Sequence, residues 1–213
     1  MEFIDEKIEQ YALNHSQAES DVLKKLNRDT HAKVMQPRML SGHMQGAFLS
    51  MLSKMIQPSA ILEIGTYTGY SAICLAQGLV PNGKLHTIDV NEERDKMVQS
   101  FIKEANLESK IKCHIGDAMK IIPTLNMQFD IVFIDADKKN YSNYYDLVFD
   151  KVKIGGYIIA DNVLWSGKVV DIEKNKDSDT ILIDAFNKKV HADNRVEHLL
   201  LPLRDGLMIA RKK

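Results

Sequence analysis

The sequence has little cysteine, no long apolar run and almost no net charge. Its 213 residues include two cysteines, Cys74 and Cys113, which form no Cys-x-x-Cys pair, so we expect neither a disulfide scaffold nor a cysteine-based zinc site. The first residues lack the basic and apolar segments of a signal peptide. Because no apolar run reaches the ~18 residues that cross a bilayer, membrane insertion is excluded. We therefore expect a protein of the reducing cytoplasm.

The charges are balanced along the chain. The 28 lysine and arginine residues nearly match the 29 aspartate and glutamate residues, giving a formal net charge of -1. This balance excludes a strongly basic protein that coats nucleic acid, and it excludes an acidic solvating tail. The length predicts a single domain that spans residues 1–213 and is large enough to bury a core without disulfides or structural metals.

Residues 1–58 differ from the rest of the chain because their apolar side chains recur at helical spacing. This pattern predicts a helical N-terminal extension of three helices, joined to a Rossmann-like core of residues 59–213. The segment Gln36–Gly42 interrupts the pattern and predicts a loop, in which Ser41 is a candidate N-cap of the third helix. On that helix, Met51 and Met55 lie four residues apart and are expected to fill the core.

From Ala60 onward, short apolar runs rich in β-branched residues alternate with helical segments. Such alternation predicts parallel strands with right-handed crossovers, and the last two strands are expected to form a hairpin around Arg204 and Asp205. We predict an α/β fold with a Rossmann-like, doubly wound, seven-stranded and mostly parallel sheet, an antiparallel edge strand from the C-terminal hairpin, and N-terminal helices. The predicted strands cover residues 60–64, 85–90, 111–115, 129–134, 157–160, 196–203 and 206–211.

Ligands of open parallel sheets bind outside the carboxyl ends of the strands. The first strand is followed by a turn from Gly65 to Gly69 that lacks the Gly-x-Gly-x-x-Gly spacing of dinucleotide-binding turns, and glycine also serves a plain tight connection. The second strand ends in Asp89, 24 residues after Gly65, where a carboxylate accepts hydrogen bonds from ribose in related folds. After the third strand, Asp117 either borders an adenine ring or caps the next helix. Together these signals favour a nucleoside site.

Acidic and amide side chains follow the next two predicted strands. Asp135 follows residues 129–134, and Asp161 and Asn162 follow residues 157–160. If these strands are neighbours, about 4.8 Å apart, the two carboxylates come together, which raises one pKa or requires a cation between them. Two carboxylates and one amide oxygen are hard ligands that suit Mg²⁺ and leave positions for water and substrate. The simpler alternative is that these side chains cap helices or stay solvated.

Several of these segments together resemble a known family. The matching segments are Glu63–Ser71, Asp89, Phe133–Lys138, Gly155-Gly156 and Asp161–Trp165. They closely resemble the cation-dependent O-methyltransferases, which are class I S-adenosylmethionine enzymes that include catechol and caffeoyl-CoA O-methyltransferases. The resemblance runs from about Met39 to Gly206. Its specific part is the combination of Asp-Ala-Asp-Lys with Asp-Asn-Val-Leu-Trp, whereas the glycine turn is general.

By position, the resemblance implies a role for each site residue. S-adenosylmethionine would be bound by Glu63, Gly65, Thr66, Ser71, Asp89, Ala118 and Asp137, with Ser41 closing over its methionine end. A divalent cation, Mg²⁺ before Ca²⁺ or Mn²⁺, would be held by Asp135, Asp161 and Asn162, and Lys138 would be the catalytic base. The acceptor would lie against Met39, Trp165 and Ser166, the last at a position where plant relatives carry an asparagine.

The resemblance implies transfer of a methyl group to a hydroxyl of a catechol-type or related phenolic small molecule, by a homodimer like its dimeric relatives. Methylation of 5-hydroxyuridine in transfer RNA is an alternative that the near-neutral charge opposes and that the basic stretch from Lys24 to Arg38 keeps open. The alternative from another class is a nucleotide-binding oxidoreductase or a cofactor-sensing module without chemistry. The missing dinucleotide-binding turn opposes the first, and the intact acidic and lysine set opposes the second.

Overall fold

A seven-stranded sheet forms the centre of the computed structural model, which describes residues 4–213. The order across the sheet is β3-β2-β1-β4-β5-β7-β6. Strands β1 to β5 pair in parallel, and β7 runs antiparallel to both β5 and β6. The predicted Rossmann-like sheet with its antiparallel pair at one edge is therefore confirmed. The strands are β1 Ala60–Ile64, β2 Lys84–Asp89, β3 Ile111–Ile115, β4 Phe129–Ile134, β5 Val152–Asp161, β6 Val196–Leu201 and β7 Leu207–Lys212.

Eight α-helices of the described residues surround this sheet. Polar residues cap several of them: the Ser20 side chain accepts from the Leu23 amide at 3.4 Å, and Asp177 accepts from the Thr180 amide at 3.1 Å. Asp117 likewise caps its helix, through the Met119 amide at 2.9 Å. The helices are α1 Glu6–Asn14, α2 Asp21–Lys33, α3 Gly42–Ile56, α4 Tyr70–Ala76, α5 Asp95–Glu104, α6 Ala118–Ile121, α7 Tyr141–Phe149 and α8 Ser178–Ala192.

The core has two parts, one on each face of the sheet. Leu62 and Ile64 of β1 point to the face covered by α6, α7 and α8, whereas Ile61 points to the face covered by α2 to α5. This alternation is the period-two pattern of a strand buried on both sides. Helices α2 and α3, which precede β1, thus share a core with the sheet, because Leu26 and Leu49 pack in the same cluster as Ile61.

The structure corrects three local expectations. Ser41 is not a side-chain N-cap: its backbone is already helical, with φ -56° and ψ -34°, and its side chain makes no capping hydrogen bond. Met51 and Met55 are not core residues, since they are 61% and 75% exposed. Strand β5 begins at Val152 and not at residue 157 as predicted. Gly155 interrupts the apolar sequence pattern, but the strand continues through it because a register shift against β4 accommodates its φ of +79°.

The topology brings the carboxyl ends of β1, β2, β4 and β5 to one edge of the sheet, where the candidate site lies. Between residues 4 and 213, no helix combines the length and the apolar character needed to span a membrane.

Candidate functional site

Two carboxylates lie side by side at the ends of β4 and β5. In the register of these strands Ile134 is opposite Ala160, so the residues that follow, Asp135 and Asp161, are neighbours. Asp161 is buried and Asp135 is partly exposed. Asn162 comes next with a left-handed φ of +57°, a conformation that asparagine tolerates better than most residues. The predicted convergence of Asp135, Asp161 and Asn162 at adjacent strand ends is what the structure has.

The ammonium of Lys138 connects two of these three side chains. Its Nζ donates to Asn162 Oδ1 at 3.0 Å and to Asp135 Oδ1 at 3.4 Å, and it also donates to the Tyr141 hydroxyl. The Lys138 side chain is only 10% exposed, and its Nζ lies 5.8 Å from the centre of the Trp165 ring. A single positive charge therefore lies among the oxygen atoms of the strand ends.

Asp161 is held by one donor on each carboxylate oxygen. Its Oδ1 accepts from the backbone N–H of Asn162 at 2.7 Å, and its Oδ2 accepts from the side-chain Nε2 of Gln45 at 2.6 Å. Burial raises the pKa of Asp161 well above its usual range, and the neighbouring charge of Asp135 raises it further. Two carboxyl groups so close in a buried place favour a positive charge between them.

The donor set fits a hard divalent cation. Asp135 and Asp161 contribute carboxylate oxygens and Asn162 an amide oxygen, which are the ligand types that Mg²⁺ and Ca²⁺ prefer. Over residues 4–213 no group of three or more His, Cys, Asp and Glu side chains is placed to share an ion, so a cation here would have to take its third protein oxygen from the Asn162 side chain. Two of these oxygens, on Asp135 and Asn162, already accept from the Lys138 ammonium and so face a positive charge.

The turn after β1 approaches the metal-ligand candidates closely. Gly65 has a φ of +102°, and a Cβ at this position would overlap the carbonyl oxygen of Asp135. Backbone hydrogen bonds fix the approach: the Gly65 amide donates to Ile88 at 2.9 Å, and the Asp135 amide donates to Ile64 at 2.8 Å. Glycine is thus required where the ends of β1, β2 and β4 meet.

Glu63, two residues before Gly65, is fully buried, and only one of its two carboxylate oxygens has a hydrogen-bond partner among the described residues. Its Oε2 accepts from Thr87 Oγ1 at 2.5 Å, and Thr87 also shares a hydrogen bond of 2.5 Å with Thr66. The Oε1 atom has no partner among the described residues. Burial raises the pKa of Glu63 to about 8, against the hydrogen bond from Thr87 that lowers it. Thr87 therefore connects the predicted residues Glu63 and Thr66 beneath the turn, and the predicted Ser71 is buried in the first turn of α4.

Asp89 at the end of β2 is oriented by three donors. It accepts from the amides of Tyr67 and Asn91, each at 2.8 Å, and from Arg94 Nη2 at 3.1 Å. The Arg94 guanidinium also lies 5.1 Å from the centre of the Tyr67 ring. The carboxylate is thereby fixed at the sheet edge with one side toward the turn.

The other predicted donor-site residues lie around this edge. Ala118 begins α6 and is buried in the same core part as Ile64. Asp137 is exposed and accepts from the Tyr144 hydroxyl at 2.6 Å. Ser41 is buried, and its carbonyl oxygen accepts a hydrogen bond from Arg204. Ser41 therefore belongs to the site region through its backbone contact, although its predicted capping role is wrong.

A cleft of about 1050 Å³ opens beside the strand ends. Its walls include all three predicted acceptor residues, Met39, Trp165 and Ser166, together with Ile8 and Ala12 of α1. Asp135, Asp137, Lys138, Asp161 and Asn162 also line the cleft. The structure thus joins the polar group at the strand ends to an apolar wall large enough for a small organic molecule.

Four residues that contact the site were not predicted from the sequence. Gln45 and Arg204 contact Asp161 and Ser41 as described, and Tyr141 donates to the Asp161 carbonyl at 2.9 Å. Asp205, in the connection between β6 and β7, accepts from the Ser166 amide at 2.5 Å. The one available signal was a polar glutamine within an otherwise apolar stretch of α3; the others depend on long-range packing.

The chain is similar to proteins of known class. Residues 13–213 match the model of a family described as O-methyltransferase. A caffeoyl-CoA O-methyltransferase from Stellaria longipes is 32% identical over 222 residues, which cover 97% of this chain and 90% of that protein.

Solved structures agree with this similarity. The O-methyltransferase from Bacillus cereus, in complex with SAH, matches with a TM-score of 0.90 and 30% identity over 97% of both chains. TomG from Streptomyces achromogenes, an O-methyltransferase of tomaymycin synthesis in complex with SAM, matches with a TM-score of 0.90 and 28% identity over 97% of this chain and 96% of that one. With these matches and the strand-end site, the chain belongs to the O-methyltransferase family and is an S-adenosylmethionine-dependent O-methyltransferase.

Proposed function

We propose that this protein transfers the methyl group of S-adenosylmethionine to a hydroxyl of a catechol-type or related phenolic small molecule, with the help of a divalent cation, most simply Mg²⁺. The observation that carries the proposal is that Asp135 and Asn162 both accept from the Lys138 ammonium while the buried Asp161 lies beside them, at the wall of a cleft and directly beside the Gly65 turn. Hard oxygen ligands, a lysine and an apolar wall then meet within one site.

The cation would be held by Asp135, Asp161 and Asn162, whose oxygens form the donor set described above. When bound, it supplies Lewis acidity that stabilises the oxyanion of an acceptor hydroxyl. A phenol with a pKa of about 10 is almost wholly protonated at neutral pH, so such stabilisation is needed for attack. Two vicinal oxygens, as in a catechol, suit this arrangement better than one.

Lys138 is proposed as the base that removes the proton from the acceptor hydroxyl. Its Nζ lies among the proposed ligand oxygens and faces the Trp165 ring, which lies on the cleft wall. Lys138 takes part as the neutral amine: as Nζ accepts the proton and becomes an ammonium, the acceptor oxygen attacks the methyl carbon, the new O–C bond forms and the C–S bond breaks, so that the electron pair remains on sulfur. Opposite charges cancel in this step, and a cleft that excludes water favours it.

The donor is proposed to lie along the edge formed by the ends of β1, β2 and β4. Asp89 would accept from the ribose hydroxyls, because its carboxylate is already fixed there by three protein donors. The unpartnered Oε1 of Glu63 supports a polar partner beneath the turn. The remaining donor contacts are assigned by position to Ser41, Gly65, Thr66, Ser71, Ala118 and Asp137.

The acceptor is proposed to bind against Met39, Trp165 and Ser166. The apolar surfaces of Met39 and Trp165 suit an aromatic ring, and the ring face of Trp165 is turned toward Lys138. Similarity to a protein named caffeoyl-CoA O-methyltransferase favours a phenolic acceptor.

We also propose that the protein is a homodimer that uses the exposed apolar face of α3, where Met51 and Met55 are 61% and 75% exposed. Met51→Glu is expected to convert the dimer into a monomer in light-scattering measurements. Ile154→Glu, at an 82% exposed position of β5, is the control and is expected to leave the dimer intact.

Both cysteines are free thiols, which accords with the proposed cytoplasmic location.

The decisive experiment measures transfer of a labelled methyl group to catechols, phenolic thioesters and undermodified transfer RNA, with Mg²⁺ or with a chelator. Transfer to a diphenol that stops in chelator and returns with Mg²⁺ is expected. Full transfer in chelator would contradict the cation. Transfer to RNA alone would contradict the phenolic acceptor.

A further inference from the structure

One buried polar side chain of α3 points away from its own helix toward the candidate cation site. Gln45 is completely buried, and its Nε2 donates to Asp161 Oδ2 at 2.6 Å across 116 residues of sequence. The other buried polar residues farther along α3 serve packing: Ser53 donates to the Leu75 carbonyl at 2.6 Å, and Ser50 donates to Gln77 at 3.0 Å. Gln45 thus differs from Ser50 and Ser53 in that its hydrogen-bond acceptor is a proposed ligand of the cation.

The amide of Gln45 has one orientation that satisfies both its neighbours. Its Oε1 accepts from Arg204 Nη1 at 3.2 Å while its Nε2 donates to Asp161. A guanidinium can only donate and a carboxylate can only accept, so the reversed amide would lose both hydrogen bonds. Arg204 therefore determines which end of Gln45 faces Asp161.

Arg204 is itself fixed in the connection between β6 and β7. It has a left-handed φ of +50°, and its guanidinium also donates to the carbonyl oxygen of Ser41, just before α3. The C-terminal hairpin, the start of α3 and the end of β5 are thereby joined through one chain of hydrogen bonds, Arg204 to Gln45 to Asp161.

We propose that Gln45 is a positioning residue that holds the carboxylate of Asp161 for cation binding, and that Arg204 acts through Gln45. This inference rests on the proposed cation-dependent function. Asp161 Oδ1 accepts from the backbone N–H of Asn162, and Oδ2 accepts from Gln45. These two hydrogen bonds hold the Asp161 side chain in one rotamer, in which its remaining lone pairs are free for the cation. Partners that orient a metal ligand in this way typically contribute about 10–100-fold to metal affinity.

The test is the affinity for Mn²⁺, measured by calorimetry and by the loss of the free-ion spin-resonance signal in the presence of S-adenosylhomocysteine. Gln45→Met keeps the length of the side chain but removes its donor, and we expect it to bind Mn²⁺ about 10–100-fold more weakly than the wild type. Arg204→Met is expected to weaken binding by a smaller factor. Because Arg204 acts through Gln45, the double variant should bind Mn²⁺ no more weakly than Gln45→Met alone.

Ser53→Ala is the matched control, since it also removes a buried hydrogen bond from α3 but lies far from the cation site. It is expected to lower the melting temperature and to leave Mn²⁺ affinity unchanged. The affinity of Gln45→Met for S-adenosylhomocysteine should stay close to the wild-type value; an equal loss of both affinities would indicate general disruption and would overturn the positioning role.

The remaining outcomes separate this inference from the function on which it rests. Equal Mn²⁺ affinity in the wild type and in Gln45→Met would overturn the inference while the proposed function stands. Additive losses in the double variant would overturn the action of Arg204 through Gln45. A wild-type protein that binds no Mn²⁺, Mg²⁺ or Ca²⁺ would overturn the proposed cation and this inference together.

Discussion

Gly65 and Asp135 approach so closely that no side chain fits at position 65: a Cβ there would overlap the carbonyl oxygen of Asp135. The contact joins the turn proposed to bind the methyl donor to a proposed ligand of the cation. It explains in packing terms why the ends of β1 and β4 form one site.

Gly65→Ala is therefore expected to destabilise the protein strongly and to weaken donor binding. A left-handed backbone alone costs an alanine about 1–2 kcal/mol, and the overlap adds to that cost. Gly42→Ala is the control for unfolding stability, because Gly42 also has a positive φ, +75°, but has open space around its missing Cβ. Denaturant unfolding should show a clearly larger loss for Gly65→Ala. Equal losses for the two variants would mean that the close approach has no energetic effect.

The sequence predicted the fold well because the strands are buried on both sides and separated by helices. The runs Ala60–Ile64 and Phe129–Ile134 are apolar except for one acidic residue each and are almost entirely buried, as is typical of parallel strands between two helical layers. The start of β5 was wrong because Gly155 interrupts the pattern while the backbone pairing continues through the register shift.

The sequence could predict those residues of the candidate site that directly follow a strand. Asp135, Asp161 and Asn162 follow their strands directly, so the topology alone brings them together. Gln45 and Arg204 reach the same point from α3 and from the last hairpin, and only tertiary packing determines that contact. Ser41 could be misjudged as a cap because a serine before a helix is typical of one, whereas here the backbone is already helical.

Asp89→Ala is expected to weaken binding of S-adenosylmethionine by about 10–100-fold, because charge-assisted hydrogen bonds to ribose contribute roughly 1.5–3 kcal/mol each. Calorimetric titration measures the change. Asp130→Ala is the control, since Asp130 lies near the opposite end of β4 and pairs with Lys153. Unchanged affinity in Asp89→Ala would show that the ribose lies elsewhere.

Lys138→Ala is expected to lower kcat by about 10²–10⁴-fold, the usual contribution of a general base, with little change in donor affinity. The comparison requires steady-state rates with an active acceptor and a separate titration with S-adenosylhomocysteine. Lys120→Ala, an exposed lysine on α6, should behave as the wild type. If Lys138→Ala kept its rate, Lys138 would serve only to balance the charges of Asp135 and its neighbours.

The stability of the protein without donor or cation should fall as pH rises, in part because of Glu63. Burial raises the pKa of this carboxyl from 4.5 to about 8, so the folded state retains a proton that the unfolded state has released. The resulting stabilisation is complete below pH 4.5 and is lost as pH rises through about 8. Because one pKa unit is worth about 1.4 kcal/mol, the loss is expected to reach a few kcal/mol.

Glu63→Gln tests this, since its amide stays neutral at every pH. Denaturant unfolding between about pH 5 and 9, a range that includes the raised pKa, should give a flatter stability profile for the variant than for the wild type. Glu108→Gln, at an exposed position, should retain the wild-type slope. Parallel profiles for Glu63→Gln and the wild type would mean that the Glu63 carboxylate is stabilised in the folded protein by a donor to Oε1 and is already ionised at neutral pH.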